Sequence, residues 1–171
     1  MSTRLQEFLQ QEVMRQSKFA LLAAQDLEHA LQVVDMDRIW YCVQGLLVAA
    51  GNISKLLWPG TTKFSAEAAA LRKQLSVSDN SVLAPRKFRN HFEHFDERLA
   101  DWASNGRGAF VDSNVGPTGF IGGFAAGDCL RNFDTTTHAI TFRGETYELR
   151  PVLQAVRDIH SKVSVTLGLV D

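Results

Sequence analysis

The chain has 171 residues, 45% apolar and 22% charged, with a formal net charge of −1. That composition supports a packed core and excludes a disordered chain. The near-zero net charge excludes a surface coated in cations for indiscriminate nucleic-acid binding, so any such site has to be a local patch. The two cysteines, Cys42 and Cys129, lack CxxC spacing and argue against a disulfide framework or a zinc site. The first seven residues, Met1 to Glu7, carry no apolar signal core. The longest uncharged apolar stretch, Ile39 to Ser54, falls short of the ~20 residues needed to span a bilayer. These readings predict a cytoplasmic protein without a membrane partner, folded as a single domain over 1–171.

The first third reads as helix. Thr3 and Gln6 have the spacing of a capping box. Leu5, Phe8, Leu9, Val13, Ala20, Ala23, Ala24, Leu27, Leu31 and Val34 then recur in three- and four-residue steps, which predicts one apolar stripe. Asp35 or Asp37 can cap a second helix. Its apolar set, from Ile39 and Trp40 through Leu57, is wide enough for a central position. Trp58-Pro59-Gly60 ends it, and the short connection between the two helices favours an antiparallel pair. Ser65 is placed to cap a short helix from Ala66 to about Leu75. Ser76 to Ser81 reads as a polar loop, and Pro85 suits the first turn of a helix running to about Ser104, stopped by Asn105-Gly106.

The chain changes character from Gly106 to Gly127, a glycine-rich stretch that reads as a long irregular segment. His138 to Phe142 and Glu145 to Leu149 alternate around Arg143-Gly144 and predict a β-hairpin. Pro151 opens a last helix with Val152, Val156, Ile159 and Val163 on one face. The predicted fold is therefore mainly α: an up-down bundle of four to five helices, with 106–150 a glycine-rich segment plus small β-hairpin inserted before the C-terminal helix.

The informative stretch runs from Arg86 to Arg98. On a helix, Phe88, Phe92, Phe95, Leu99 and Trp102 fall within about 80° of one another and form a core stripe. Arg89, Asn90, Glu93, His94 and Glu97 lie across from it, and His91 sits at its flank. Asn90 and His94 are neighbours at four residues' spacing. Arg86, Lys87 and Arg89 gather near the expected helix start, a favourable place for a phosphate. The spacing alone also fits a solvated face with an Arg89–Glu93 pair.

An Arg, a polar residue directly after it, and a His with four to six residues between, set on a bundle helix, resemble the HEPN superfamily of small helical ribonuclease-like domains. Three Arg–His pairs of this chain have that spacing: Arg86 with His91, Arg89 with His94, and Arg131 with His138. Requiring Asn after the Arg removes the first, and requiring a helix removes the third. Arg89-Asn90-x-x-x-His94 passes both filters. The resemblance otherwise rests on helix order over roughly 3 to 104 and the closing helix.

The resemblance implies a metal-independent endoribonuclease without cofactor, acting on RNA through the ribose 2′-hydroxyl. In it His94 is general base or acid, Arg89 holds the phosphate and Asn90 orients one of them, with Arg86 and Lys87 binding substrate. It further implies a homodimer, and a setting in toxin–antitoxin pairs or phage defence with a protein antitoxin as partner. The Tyr that one toxin subgroup carries two residues after the His is Asp96 here, so control by modification of that residue is not carried over. The competing reading is a non-catalytic helical-bundle interaction protein with the same fold.

His91, His94, Glu93 and Glu97 do not reproduce the Glu-x-x-His pairs of helical-bundle metal sites, so no metal ligands are assigned. Cys42 is expected to pack as a small hydrophobe. The tryptophans are expected to anchor cores rather than stack bases.

Overall fold

The computed structural model describes residues 3–85, 94–105, 110–117, 123 and 128–169. Among them are five α-helices: α1 (Thr3–Val33), α2 (Met36–Leu57), α3 (Ser65–Gln74), α4 (Phe95–Asn105) and α5 (Leu149–Thr166). A 3₁₀ turn, Thr62–Phe64, precedes α3. Four short strands form one sheet: β1 (Asn114–Val115), β2 (Arg131–Asp134), β3 (Ala139–Phe142) and β4 (Glu145–Glu148). The protein is mainly α, and its β portion is a four-stranded sheet rather than a hairpin alone. The chain divides into two compact units, Met1–Arg86 with Pro151–Asp171, and Lys87–Arg150.

In the first unit α1 and α2 run antiparallel. Asn52 Nδ2 donates to Gln16 Oε1 at 3.1 Å, and the position of a Cβ on Gly45 meets Ala23 Cβ at 3.7 Å. Seven residues forward on α1 thus match seven residues back on α2. The turn between them is tight: Asp35 accepts from the Arg38 amide at 3.0 Å and caps α2, as its position predicted. The Asp35 amide reaches back to Ala30 O at 3.0 Å, the closing bond of a Schellman motif. Val34 takes the left-handed position there, with φ 56°.

A β-branched residue is a costly occupant of that conformation, and Val34 is 71% exposed, so its side chain loses little when removed. Val34→Gly is expected to raise stability by about 0.5–1 kcal/mol despite the more flexible unfolded chain. A shift of the thermal midpoint in the opposite direction would contradict that account of the turn.

The core of this unit joins Val13 and Ala20 of α1, Ala49, Ala50, Ile53 and Leu57 of α2, Leu71 of α3 and Val156, Ile159 and Val163 of α5. The central place expected for α2 is confirmed, since it buries residues from Ile39 through Leu57. The stripe on α1 needs correction at its ends: Phe8 and Val34 are exposed. A fully buried Ser17 takes a place no apolar pattern reveals. Its hydroxyl donates to Met14 O at 2.8 Å, so the His160 Nδ1–H donates to Ser17 Oγ at 2.9 Å and ties α5 to α1.

Two local expectations change. Thr3 lies within α1 and its side chain is outside the described groups, while Gln6 Nε2 donates to Glu67 O at 3.2 Å. Ser65 does not cap α3: it is the helix's first residue, and its hydroxyl donates back to Thr61 O at 3.1 Å. Arg72 closes the end of α2 instead, donating to Leu57 O and lying 5.8 Å over the Trp58 ring.

In the second unit β2, β3 and β4 are antiparallel neighbours, and β1 pairs parallel with β2. The predicted β3–β4 hairpin is present. Arg143 and Gly144 have φ of 48° and 82°, the pair of positive values that a two-residue turn needs to match the strand twist. The β2–β3 connection was not predicted. There the buried Asp134 carboxylate accepts from the Thr136 and Thr137 amides at 2.8 and 3.0 Å.

Helix α4 sets Trp102 beside Leu130 and Phe142, with Phe95 packed at their edge. Leu99, expected in the same stripe, is 39% exposed. Phe88 and Phe92 lie outside the described residues.

Candidate functional site

Of the residues that the motif singles out, the structure describes His94. Arg86, Lys87, Arg89, Asn90, His91 and Glu93 lie outside the described residues. His94, expected within a helix running from Pro85 to about Ser104, stands instead in the turn directly before α4; its carbonyl accepts from the Arg98 amide at 3.1 Å, the first bond of that helix. The aromatic residues explain why the helix forms here. Phe95 and Trp102, seven residues apart, bury one side of α4 against the sheet, and Trp102 Nε1 donates to Asp128 O at 3.3 Å.

The imidazole is exposed, and among the described residues its acidic neighbour is Glu97. His94 Nδ1 lies 3.6 Å from Glu97 Oε1 across the first turn, with side-chain exposures of 53% and 73%. At that distance and exposure the pair constrains His94 only weakly. The imidazole therefore stays open to solvent and to a ligand. Asp96 and Glu97 fill the first turn of α4, where they suit the helix dipole and oppose a bound anion. The phosphate-favouring start expected near Arg86 and Lys87 is a different segment, outside the described residues.

The third Arg–His pair is placed as the helix requirement anticipated: Arg131 is on β2 and His138 on the turn into β3. Arg131 is held by its own network. Its Nε and one terminal nitrogen donate to the two oxygens of Asp112 at 2.8 and 2.5 Å, and that nitrogen also donates to Ser113 Oγ at 3.0 Å. Its guanidinium lies 4.7 Å over the Phe95 ring. A fork already bidentate to a carboxylate is neutralised as a phosphate receptor. This network was missed in the sequence because its partners are 18 and 19 residues apart and carry no local pattern.

The network makes a pH prediction. Burial alone pushes the Asp112 carboxyl up, but the hydrogen bonds and charge of Arg131, aided by Ser113, outweigh it and hold the carboxyl below its usual range. A carboxyl depressed in the folded state adds stability above its unfolded value, near about 3.9, and loses it as pH falls through the folded value. Acid unfolding followed by circular dichroism should therefore be shallower in Asp112→Asn than in wild type below about pH 4. Equal acid dependence in the two would contradict the assignment.

Cys42 is buried among the apolar residues of α2, and burial pushes its thiol up. Burial and the nearby Asp112 do the same to Cys129. Tyr147 is raised by burial and by Glu145, to which its hydroxyl donates at 2.8 Å. Trp102 anchors a core, as expected of a tryptophan here. Among the described residues no three or more His, Cys, Asp or Glu side chains gather as metal ligands, and no helix is long and apolar enough to cross a membrane.

The chain matches no family model, no curated protein and no solved structure. The functional reading rests on its own residues.

Proposed function

We propose that this protein is a metal-independent endoribonuclease of the HEPN type. The observation that carries the reading is Arg89-Asn90-x-x-x-His94, with the His94 imidazole exposed at the head of α4. The mainly helical fold is compatible with it. In this reading the first unit's helices form the up-down bundle of the family, and two copies of the chain work together in the cytoplasm with a protein antitoxin as partner.

The chemistry needs a base, an acid and a cation at one phosphodiester. The base takes the proton of the ribose 2′-hydroxyl, and the 2′-oxygen attacks phosphorus. The bond to the 5′-oxygen breaks and that oxygen receives a proton. The products are a 2′,3′-cyclic phosphate and a 5′-hydroxyl. Histidine suits the proton steps because its ordinary titration range is near neutrality. Arg89 supplies a bidentate fork for the phosphate oxygens, and Asn90 orients by hydrogen bonding. Arg86 and Lys87 hold the neighbouring backbone of the RNA.

The second reading, a non-catalytic interaction protein, is favoured by one observation: half-exposed Phe8, Phe19 and Leu22 on α1. Cleavage of RNA mixtures by the purified chain in EDTA, beside Arg89→Ala and His94→Ala, separates the two. The ribonuclease reading expects cleavage by wild type and its loss in both variants at unchanged helicity. Absence of cleavage by wild type, or cleavage unchanged in His94→Ala, would favour the interaction protein.

A further inference from the structure

Helix α1 has a second face that the core does not use. Phe8, Phe19, Leu22 and Val33 are each between 49% and 56% exposed. With Arg15 and Asp26 they fall within about 60° of arc, across the helix from buried Val13, Ala20, Ala24 and Leu27. Adding Glu12 and His29 at the edges completes an unbroken alternation of four- and three-residue steps from 8 to 33. That is the a/d pattern of a coiled-coil seam, here about 38 Å long.

The order of residues along the seam is complementary to its own reverse. Set two copies antiparallel about a two-fold axis midway between Phe19 and Leu22. Phe19 then meets the second copy's Leu22, Phe8 meets its Val33, Arg15 its Asp26 and Glu12 its His29. Every apolar position faces an apolar one, and Arg15 faces an opposite charge. A parallel, in-register pair instead sets Arg15 on Arg15 and Asp26 on Asp26. An antiparallel pair shifted by one heptad sets Arg15 against Phe19 or Val33, and Leu22 against Glu12 or Asp26.

We infer that this face of α1 is the interface of a homodimer, in which α1 pairs antiparallel with α1 of a second copy. Arg15 already donates to Glu12 of its own helix at 2.6 Å, in an exposed pair. Exposed pairs of that kind are weak, so the arginine exchanges it readily for a carboxylate across the seam. An isologous contact of this kind closes on itself and stops at two copies.

The inference does not rest on the ribonuclease reading, and its test uses no RNA. Sedimentation of the full chain across a concentration series should give twice the chain mass at tens of micromolar. Phe19→Asp should be monomeric there. Arg15→Asp and Asp26→Arg should each weaken the dimer about tenfold or more, and combining them should restore it, because the pair is then reversed across the axis. All three substituted positions are exposed, and circular dichroism checks that helicity is kept. A monomeric wild type, a dimer indifferent to both Phe19→Asp and the single charge reversals, or a combined variant no tighter than the single ones would each overturn the inference.

Discussion

Ile53→Ala is expected to destabilise the protein by about 3 kcal/mol, within the range for emptying a fully enclosed aliphatic site. Ile53 is wholly buried on α2, the helix that every other helix of the first unit shares a core with. Its neighbours belong to packed helices, so the space left by three carbons closes only partly. For a chain of this length the loss corresponds to about 6–12 °C in thermal midpoint. The exposed Val48 of the same helix provides the control, since Val48→Ala should stay within about 0.5 kcal/mol. A loss at Ile53 below about 1 kcal/mol would show that α2 is not the centre of this core.

The second large effect is on activity. Under the proposed function, His94→Ala and Arg89→Ala should each lower the cleavage rate by about 10²–10⁴-fold, the usual worth of a positioned acid or base and of an anion-stabilising donor. The double variant should be little worse than either, because the residues act on one phosphate as a unit. Stability should tell the opposite story. The His94 side chain is 53% exposed and Glu97, its acidic partner among the described residues, is 3.6 Å away, so its removal should change unfolding by no more than about 0.5 kcal/mol. A His94→Ala protein that loses stability together with activity would make the residue structural.

The parts of the fold legible in the sequence are those with local causes. Helices α1, α2 and α5 are long enough for their apolar period to show, and the β3–β4 turn is announced by Arg143-Gly144 between alternating residues. Strands β1 and β2 are not legible for identifiable reasons. Strand β1 has two residues, and each pairs with a residue 18 positions on. Strand β2 buries Asn132 and Asp134, two polar residues where an apolar alternation is looked for. Asp134 is satisfied by amides of the turn that follows it, which is a consequence of folding and not a pattern in composition.

The same division applies to the helix faces. Phe8 satisfies the core period by its number and yet points outward, because a three- or four-residue step does not say which of two stripes a residue joins. Ser17 belongs inside because His160 meets it from a helix 143 residues away. For the candidate site, the motif is local and is read directly. The exposure of His94, the acidic first turn of α4 and the closure of Arg131 onto Asp112 depend on what folding brings near, and only the structure supplies them.

The most direct test of the central claim is cleavage in EDTA of one RNA compared with the same sequence carrying a 2′-deoxyribose at the cut position. The account predicts that the RNA is cut to a 2′,3′-cyclic phosphate and a 5′-hydroxyl, and that the deoxy-substituted strand is left whole at that position. Cutting of the deoxy-substituted position, or no cutting of RNA by the wild-type chain, would contradict it.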